Sequence, residues 1–233
     1  MYEEKIIPPK KAMPQAQDGK LRKFALRVPE VIYQCSGIMV FGKRIKSLVF
    51  STDLSIIKNV NADAIIAVYP FTPQPIINEA LLMASDIPVF TGVGGGLTKG
   101  HRVVNLAMYA EMQAAMGVVV NVPTSGLVIS RMRRTIDIPI VVTVANHGTD
   151  YARRIDDGAA IFNVAAGSAT AEIVAEIRAQ YPDIPIMATG GPSDESILRT
   201  IDAGANAITY TPPSSAELFK HTTERYRMGL PYE

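Results

Sequence analysis

The sequence predicts an α/β fold: a single closed (β/α)8 TIM barrel preceded by an N-terminal extension. Three observations carry this. The tripeptide Asp-Ile-Pro occurs at Asp86-Ile87-Pro88, Asp137-Ile138-Pro139 and Asp183-Ile184-Pro185, each time before a short apolar run. A second mark, a small-residue turn leading into another apolar run, falls between these. It reads Ala62-Asp63-Ala64, Asp157-Gly158-Ala159-Ala160 and Ala203-Gly204-Ala205, with a looser copy at Ala115-Met116-Gly117. Stretches of helical periodicity separate the runs. Proline is tolerated where a strand begins, and a β-branched run behind it reads as a buried strand. Glycine in the second mark fits the left-handed cap that ends a helix.

In chain order, residues 1–46 form the extension. Its first part is rich in proline and lysine and is expected to be extended. Val31–Cys35 and Ile38–Phe41 flank Ser36-Gly37, which reads as a two-residue hairpin over 31–41. That hairpin is either a plug under the N-terminal mouth of the barrel or a dimer arm. The plug is the prediction, because its apolar residues need burial directly upstream of the first barrel strand. Residues 47–233 form the barrel. Its strands are predicted at Leu48–Ser51, Ala64–Val68, Val89–Gly92, Val118–Asn121, Ile140–Thr143, Ala160–Val164, Ile186–Thr189 and Ala207–Tyr210. Ala171, Ile173, Val174 and Ile177 make one helical apolar face. Ile197, Leu198 and Ile201 make another, behind Ser193 as N-cap and the acids Asp194 and Glu195. Eight such units in about 190 residues suit a closed barrel, usually about 250 residues long, better than an open doubly wound sheet. An open sheet would carry a glycine fingerprint after its first strand, where Phe50-Ser51-Thr52-Asp53 stands.

Composition narrows the function classes. The chain has 233 residues, 48% apolar and 19% charged, with a net charge of +1. That excludes disorder as the main state and argues against nucleic-acid binding. Cys35 is the sole cysteine, so no intramolecular disulfide and no multi-cysteine zinc site is expected. No apolar stretch approaches the roughly 20 residues of a membrane span, and the N-terminus lacks the apolar run of a signal peptide. The expected setting is cytoplasmic, without a membrane or nucleic-acid partner; self-association is left open.

Barrels bind ligands on the loops after the C-terminal strand ends. The loop after the third barrel strand, with Gly94, Gly95 and Gly96, lets a backbone approach a ligand and can form an anion nest. Lys99 in that loop either adds a charge or is simply solvated. His147 stands at a strand end with Asp150 three residues on, which suits acid–base work or a turn and helix cap. Asp53 follows the first barrel strand as a base or as a helix cap. Asn121 and Asn163 end apolar strands and serve as ligand contacts or ties between strands. Gly167, Ser168, Gly190, Gly191 and Ser214 supply amides at helix starts. No predicted strand carries a Schiff-base lysine, and histidines and carboxylates are too scattered for a confident metal site. No cofactor and no metal is predicted.

Ala188-Thr189-Gly190-Gly191-Pro192-Ser193 resembles the phosphate-binding (β/α)8 barrels, synthases, epimerases and aldolases of phosphorylated metabolites. The resemblance implies a phosphate held after the seventh and eighth barrel strands. Gly190 and Gly191 match it. Pro212-Pro213 departs from it, since proline has no N–H to donate. Gly-Lys-Arg-Ile-Lys-Ser (42–47), Tyr-Pro-Phe-Thr-Pro (69–73), Gly-Val-Gly-Gly-Gly (92–96) and Thr-Pro-Pro-Ser (211–214) also resemble a bacterial barrel family commonly labelled "hydrolase" without defined chemistry. Together these readings imply an enzyme on a small phosphorylated or anionic metabolite, with His147, Asp53 and Lys99 as proton-transfer candidates. The alternative is a non-catalytic binding or sensor protein on the same frame. The two are discriminated by whether ionisable side chains converge on the pocket.

Overall fold

The computed structural model describes residues 26–230. The Pro- and Lys-rich start of the extension, expected to be extended, lies outside the described residues. A short 3-10 turn, Glu30–Gln34, leads into a two-stranded antiparallel hairpin, β1 (Ile38–Val40) and β2 (Lys43–Ile45). Eight parallel strands then close into a barrel in sequence order. They are β3 (Ser47–Phe50), β4 (Ala64–Ala67), β5 (Val89–Gly94), β6 (Gly117–Val120), β7 (Ile140–Val144), β8 (Ile161–Val164), β9 (Ile186–Thr189) and β10 (Ala207–Tyr210). The helices between and after them are α1 (Leu54–Lys58), α2 (Pro75–Ala84), α3 (His101–Met112), α4 (Gly126–Arg133), α5 (Tyr151–Asp157), α6 (Thr170–Gln180), α7 (Asp194–Asp202) and α8 (Ser215–Arg227).

The two sequence marks alternate around the barrel for a packing reason. The register climbs two residues within each even-numbered strand, since Leu48 pairs with Ala64 but Phe90 with Ile66, and so on around. Side chains from alternate strands therefore share layers, four to a layer, as in barrels with a shear of about 8. Leu48, Phe90, Val141 and Met187, three of them from the Asp-Ile-Pro strands, fill the middle layer. Ala64, Gly117, Ile161 and Ala207, from the small-residue strands, lie in the layer below. Three of those four are minimal in size, and the space is taken by Ile38, Val40 and Ile45 of the hairpin, which share one buried cluster with the interior.

The hairpin is thus the plug expected under the N-terminal mouth, but it lies at 38–45, not 31–41. Phe41 and Gly42 have φ of 45° and 78°, the consecutive positive pair that a tight hairpin turn requires. Ser36-Gly37 is a joint instead: Gly37 N donates to Asn206 O at 2.9 Å, and Asn206 Nδ2 donates to Ser36 Oγ at 2.9 Å. Val31–Cys35 lacks strand alternation and winds largely into the 3-10 turn, burying Ile32 and Cys35.

That turn has a second role. Leu26 bridges to Val60 beyond the end of α1, while Glu30–Gln34 packs on α7. The segment therefore spans the outer seam between β10 and β3, the berth a last barrel helix normally covers. Correspondingly, α8 has no buried residue and leaves Leu218, Phe219 and Tyr226 exposed. Among the described residues, no helix is long and apolar enough to cross a membrane.

Candidate functional site at the carboxyl end of the barrel

Side chains alternate along a strand, so the residues two beyond the middle layer also face the interior. Above Leu48, Phe90, Val141 and Met187 come Phe50, Gly92, Thr143 and Thr189. Between these levels the even strands supply Ile66, Val119, Asn163 and Thr209, and the chain beyond β4 and β6 adds Val68 and Asn121. The mouth is two-sided. Phe50, Ile66, Val68, Gly92 and Val119 make one half apolar, over β3–β6. Asn121, Thr143, Asn163, Thr189 and Thr209 make the other half polar and uncharged.

The polar half is wired. Asn163 Nδ2 donates to Thr143 Oγ1 at 3.4 Å, and Thr143 Oγ1 donates to Asn121 Oδ1 at 3.4 Å. Both contacts are long for such bonds. Asn163 is 8% and Thr209 5% exposed, yet Asn163 Oδ1 and Thr209 Oγ1 have no partner. A buried polar atom without a partner costs about 1–3 kcal/mol. Ala145 and Ala165, beyond β7 and β8, are exposed, so the chain above this polar layer reaches solvent.

The residues singled out from the sequence divide into those that line this mouth and those occupied elsewhere. Asn121 and Asn163 line it. Asp53 is the N-cap of α1, accepting from Ser55 N at 2.8 Å, Ser55 Oγ at 2.6 Å and Ser215 Oγ. The Ser215 hydroxyl first, and then Ser55, hold its carboxyl below the usual range. Ser214 caps α8 in a reciprocal box: its amide donates to Glu217 Oε2 at 2.7 Å, and its Oγ accepts from Glu217 N. Bonds from Ser214 lower the Glu217 pKa. The start of the last helix therefore already holds two carboxylates, Glu217 and Asp53, where the phosphate resemblance would put an anion.

His147 points across the outside of the mouth. Its Nδ1 lies 3.0 Å from Glu176 Oε2 and its Nε2 3.9 Å from Glu172 Oε2, both on α6. The same Glu176 stands beside Tyr151, whose hydroxyl burial pushes up to about 12. Asp150 caps α5, accepting from Arg153 N at 3.0 Å. Lys99 is exposed on its loop. Among the described residues no hydrogen bond or ion pair joins the three proton-transfer candidates to one another.

The glycines also divide. An added Cβ at Gly94 would meet Val103 at 2.5 Å, and one at Gly190 would meet Ile197 at 2.7 Å, so both answer to helix packing. Gly95, with φ of 109°, lets the chain cross Asn121 at a distance no Cβ would fit, and its amide donates to Thr98 O. Gly191 has φ of 81° and abuts Ser196 Oγ, part of the α7 capping box. Gly96, Gly167 and Ser168 are exposed, and their amides make no backbone turn bond. Thr209 and Phe50 were not singled out as site residues. Reading two residues onward from Ala207 and Leu48 would have found them.

No family model matches the chain, and no curated protein matches it. Solved structures do. A protein from Burkholderia cenocepacia J2315 assigned as a phosphonomutase aligns over 78% of this chain and 92% of its own, at 15% identity and a TM-score of 0.60. A second protein from the same organism, assigned as a lyase/mutase, aligns over 84% and 83%, at 13% identity and a TM-score of 0.59. Mandelate oxidase, solved with 3,3-difluoro-2-hydroxy-3-phenylpropionic acid, aligns over 76% and 68%, at 15% identity and a TM-score of 0.62. At these identities the likeness is one of fold: all share the (β/α)8 frame.

Proposed function

We propose that the carboxyl-end mouth of the barrel binds a small polar metabolite, set between its apolar and polar halves. One observation carries this: two buried polar atoms, Asn163 Oδ1 and Thr209 Oγ1, face the interior without partners, at the end where barrels bind ligands. Recognition is the reading the geometry favours, because the lining is hydrogen-bonding and uncharged.

Turnover is the second reading. Its support is that the solved neighbours named as mutase, lyase and oxidase share this frame. An enzyme would draw its proton carrier from the rim, from Lys99 on its glycine-rich loop or from His147 released by Glu176. A phosphate or carboxylate on the metabolite would lean on the amides of Gly96, Gly167, Ser168 and Gly191, away from the carboxylates at the start of α8. The experiment is an unbiased metabolite screen by thermal shift, with each hit then incubated and followed by mass spectrometry. Binding without conversion supports the sensor. Conversion that Lys99→Met or His147→Gln abolishes supports the enzyme. An absence of any hit whose stabilisation Asn163→Leu removes would sink the site.

A further inference from the structure

We infer that the polar half of the mouth reads an uncharged ligand that offers both a hydrogen-bond donor and an acceptor. This rests on the small-molecule reading above and narrows its substrate class.

The relay sets the polarity. A threonine hydroxyl has one proton to donate, and here it stands between two carboxamides. If it donates to Asn121 Oδ1, then Asn163 must donate to it, leaving Asn121 Nδ2 and Asn163 Oδ1 open. If both amides are turned over, the free ends exchange roles. In either of these two arrangements the relay presents one free donor at one end and one free acceptor at the other. Thr209 Oγ1, on the neighbouring side of Thr189, adds a hydroxyl that gives or takes.

Charge sets the class. None of the residues facing the interior from the eight strands is ionisable. Asp53, Asp150 and Glu217 are engaged in caps at the starts of α1, α5 and α8, and His147 is paired outside with α6. A charged group brought into this layer would lose its hydration without gaining a counter-charge. An uncharged carboxamide, ureide or hydroxyl would meet its match at both ends of the relay. The unpartnered polar atoms of this layer are kept at a cost to the empty barrel. Sites built for ligands are where such costs are retained.

Matched neutral and anionic compounds test this by thermal shift at neutral pH: nicotinamide against nicotinate, uracil against orotate, glycerol against glycerol 3-phosphate. The expected result is a dose-dependent rise in Tm with a neutral member and none with its anion. Thr143→Val and Asn163→Leu should weaken that response at least about tenfold. Without any compound, Asn163→Leu should melt at or above the wild-type temperature, because it removes the unpartnered Asn163 Oδ1 at the loss of only one long hydrogen bond. A fall of several degrees in the empty Asn163→Leu protein would show a strand tie and overturn the inference. So would the absence of any response to a neutral member. If only anions bind, and Ser168→Glu weakens them, the relay reading fails while the small-molecule reading stands. If the broad screen also finds nothing at the mouth, both fail.

Discussion

At the scale of single residues, Asp53 shows how a candidate base becomes a structural acid. Its carboxylate closes the start of α1 and reaches the hydroxyl of Ser215 at the start of α8. The folded pKa is lowered, so the stability it contributes is present above the ordinary carboxylate pKa of about 4 and is lost as pH falls through the folded value. Asp53→Ala should cost about 1 kcal/mol at pH 7, the usual worth of a cap, and progressively less towards pH 3. Urea unfolding of both proteins at the two pH values reads the difference directly. Arg178 makes the opposite case, a charge without a mechanistic claim. It donates to Gly204 O at 2.9 Å, Ile184 O at 2.9 Å and Asn206 Oδ1 at 2.7 Å, and also to Pro182 O. Asn206 in turn holds Ser36 and Gly37 at the root of the hairpin. Lysine cannot reproduce this fork. Arg178→Lys should therefore destabilise by roughly 2–4 kcal/mol, measured as a drop in denaturation midpoint at constant slope.

At the scale of an element, the hairpin carries a backbone strain that the rest of the fold tolerates. Phe41 takes φ of 45° at the first turn position and is 66% exposed, so it keeps little apolar burial in return. Asparagine accepts that conformation more readily and precedes Gly42, completing the favoured turn pair. Phe41→Asn should raise stability by about 0.5–1 kcal/mol and raise Tm by a few degrees. A lower Tm would mean that the exposed ring contributes something the turn geometry does not show. The mistaken hairpin position has the same source. Ser36-Gly37 has turn chemistry, but Val31–Cys35 lacks an alternating partner strand. The decisive signal was Gly42 followed by Lys43 and Arg44, with Ile45 as the next inward residue.

At the scale of the whole molecule, the unusual feature is which part of the chain closes the outer layer. Ile32 is fully buried in the seam segment, whereas Leu218 on α8 is 40% exposed. Ile32→Ala should cost about 2–5 kcal/mol and Leu218→Ala under about 1 kcal/mol, by equilibrium denaturation. Similar costs would mean that α8 is the true cover. The barrel itself was legible because its repeat is written in local chemistry: proline where a strand begins, small residues where a helix ends, and apolar runs of strand length between. Asn121 and Asn163 were legible too, as amides ending apolar strands. What the sequence determined alone is the order and type of the barrel's own elements, since these follow from periodicity and turn chemistry within a few residues of each other. The tertiary structure alone decided that no hydrogen bond or ion pair joins Asp53, His147 and Lys99 to one another, that Thr143 joins two asparagines, and that Thr209 faces the interior unpaired. Those outcomes depend on barrel register and on partners 20 to 162 residues apart along the chain, distances over which local pattern carries no information.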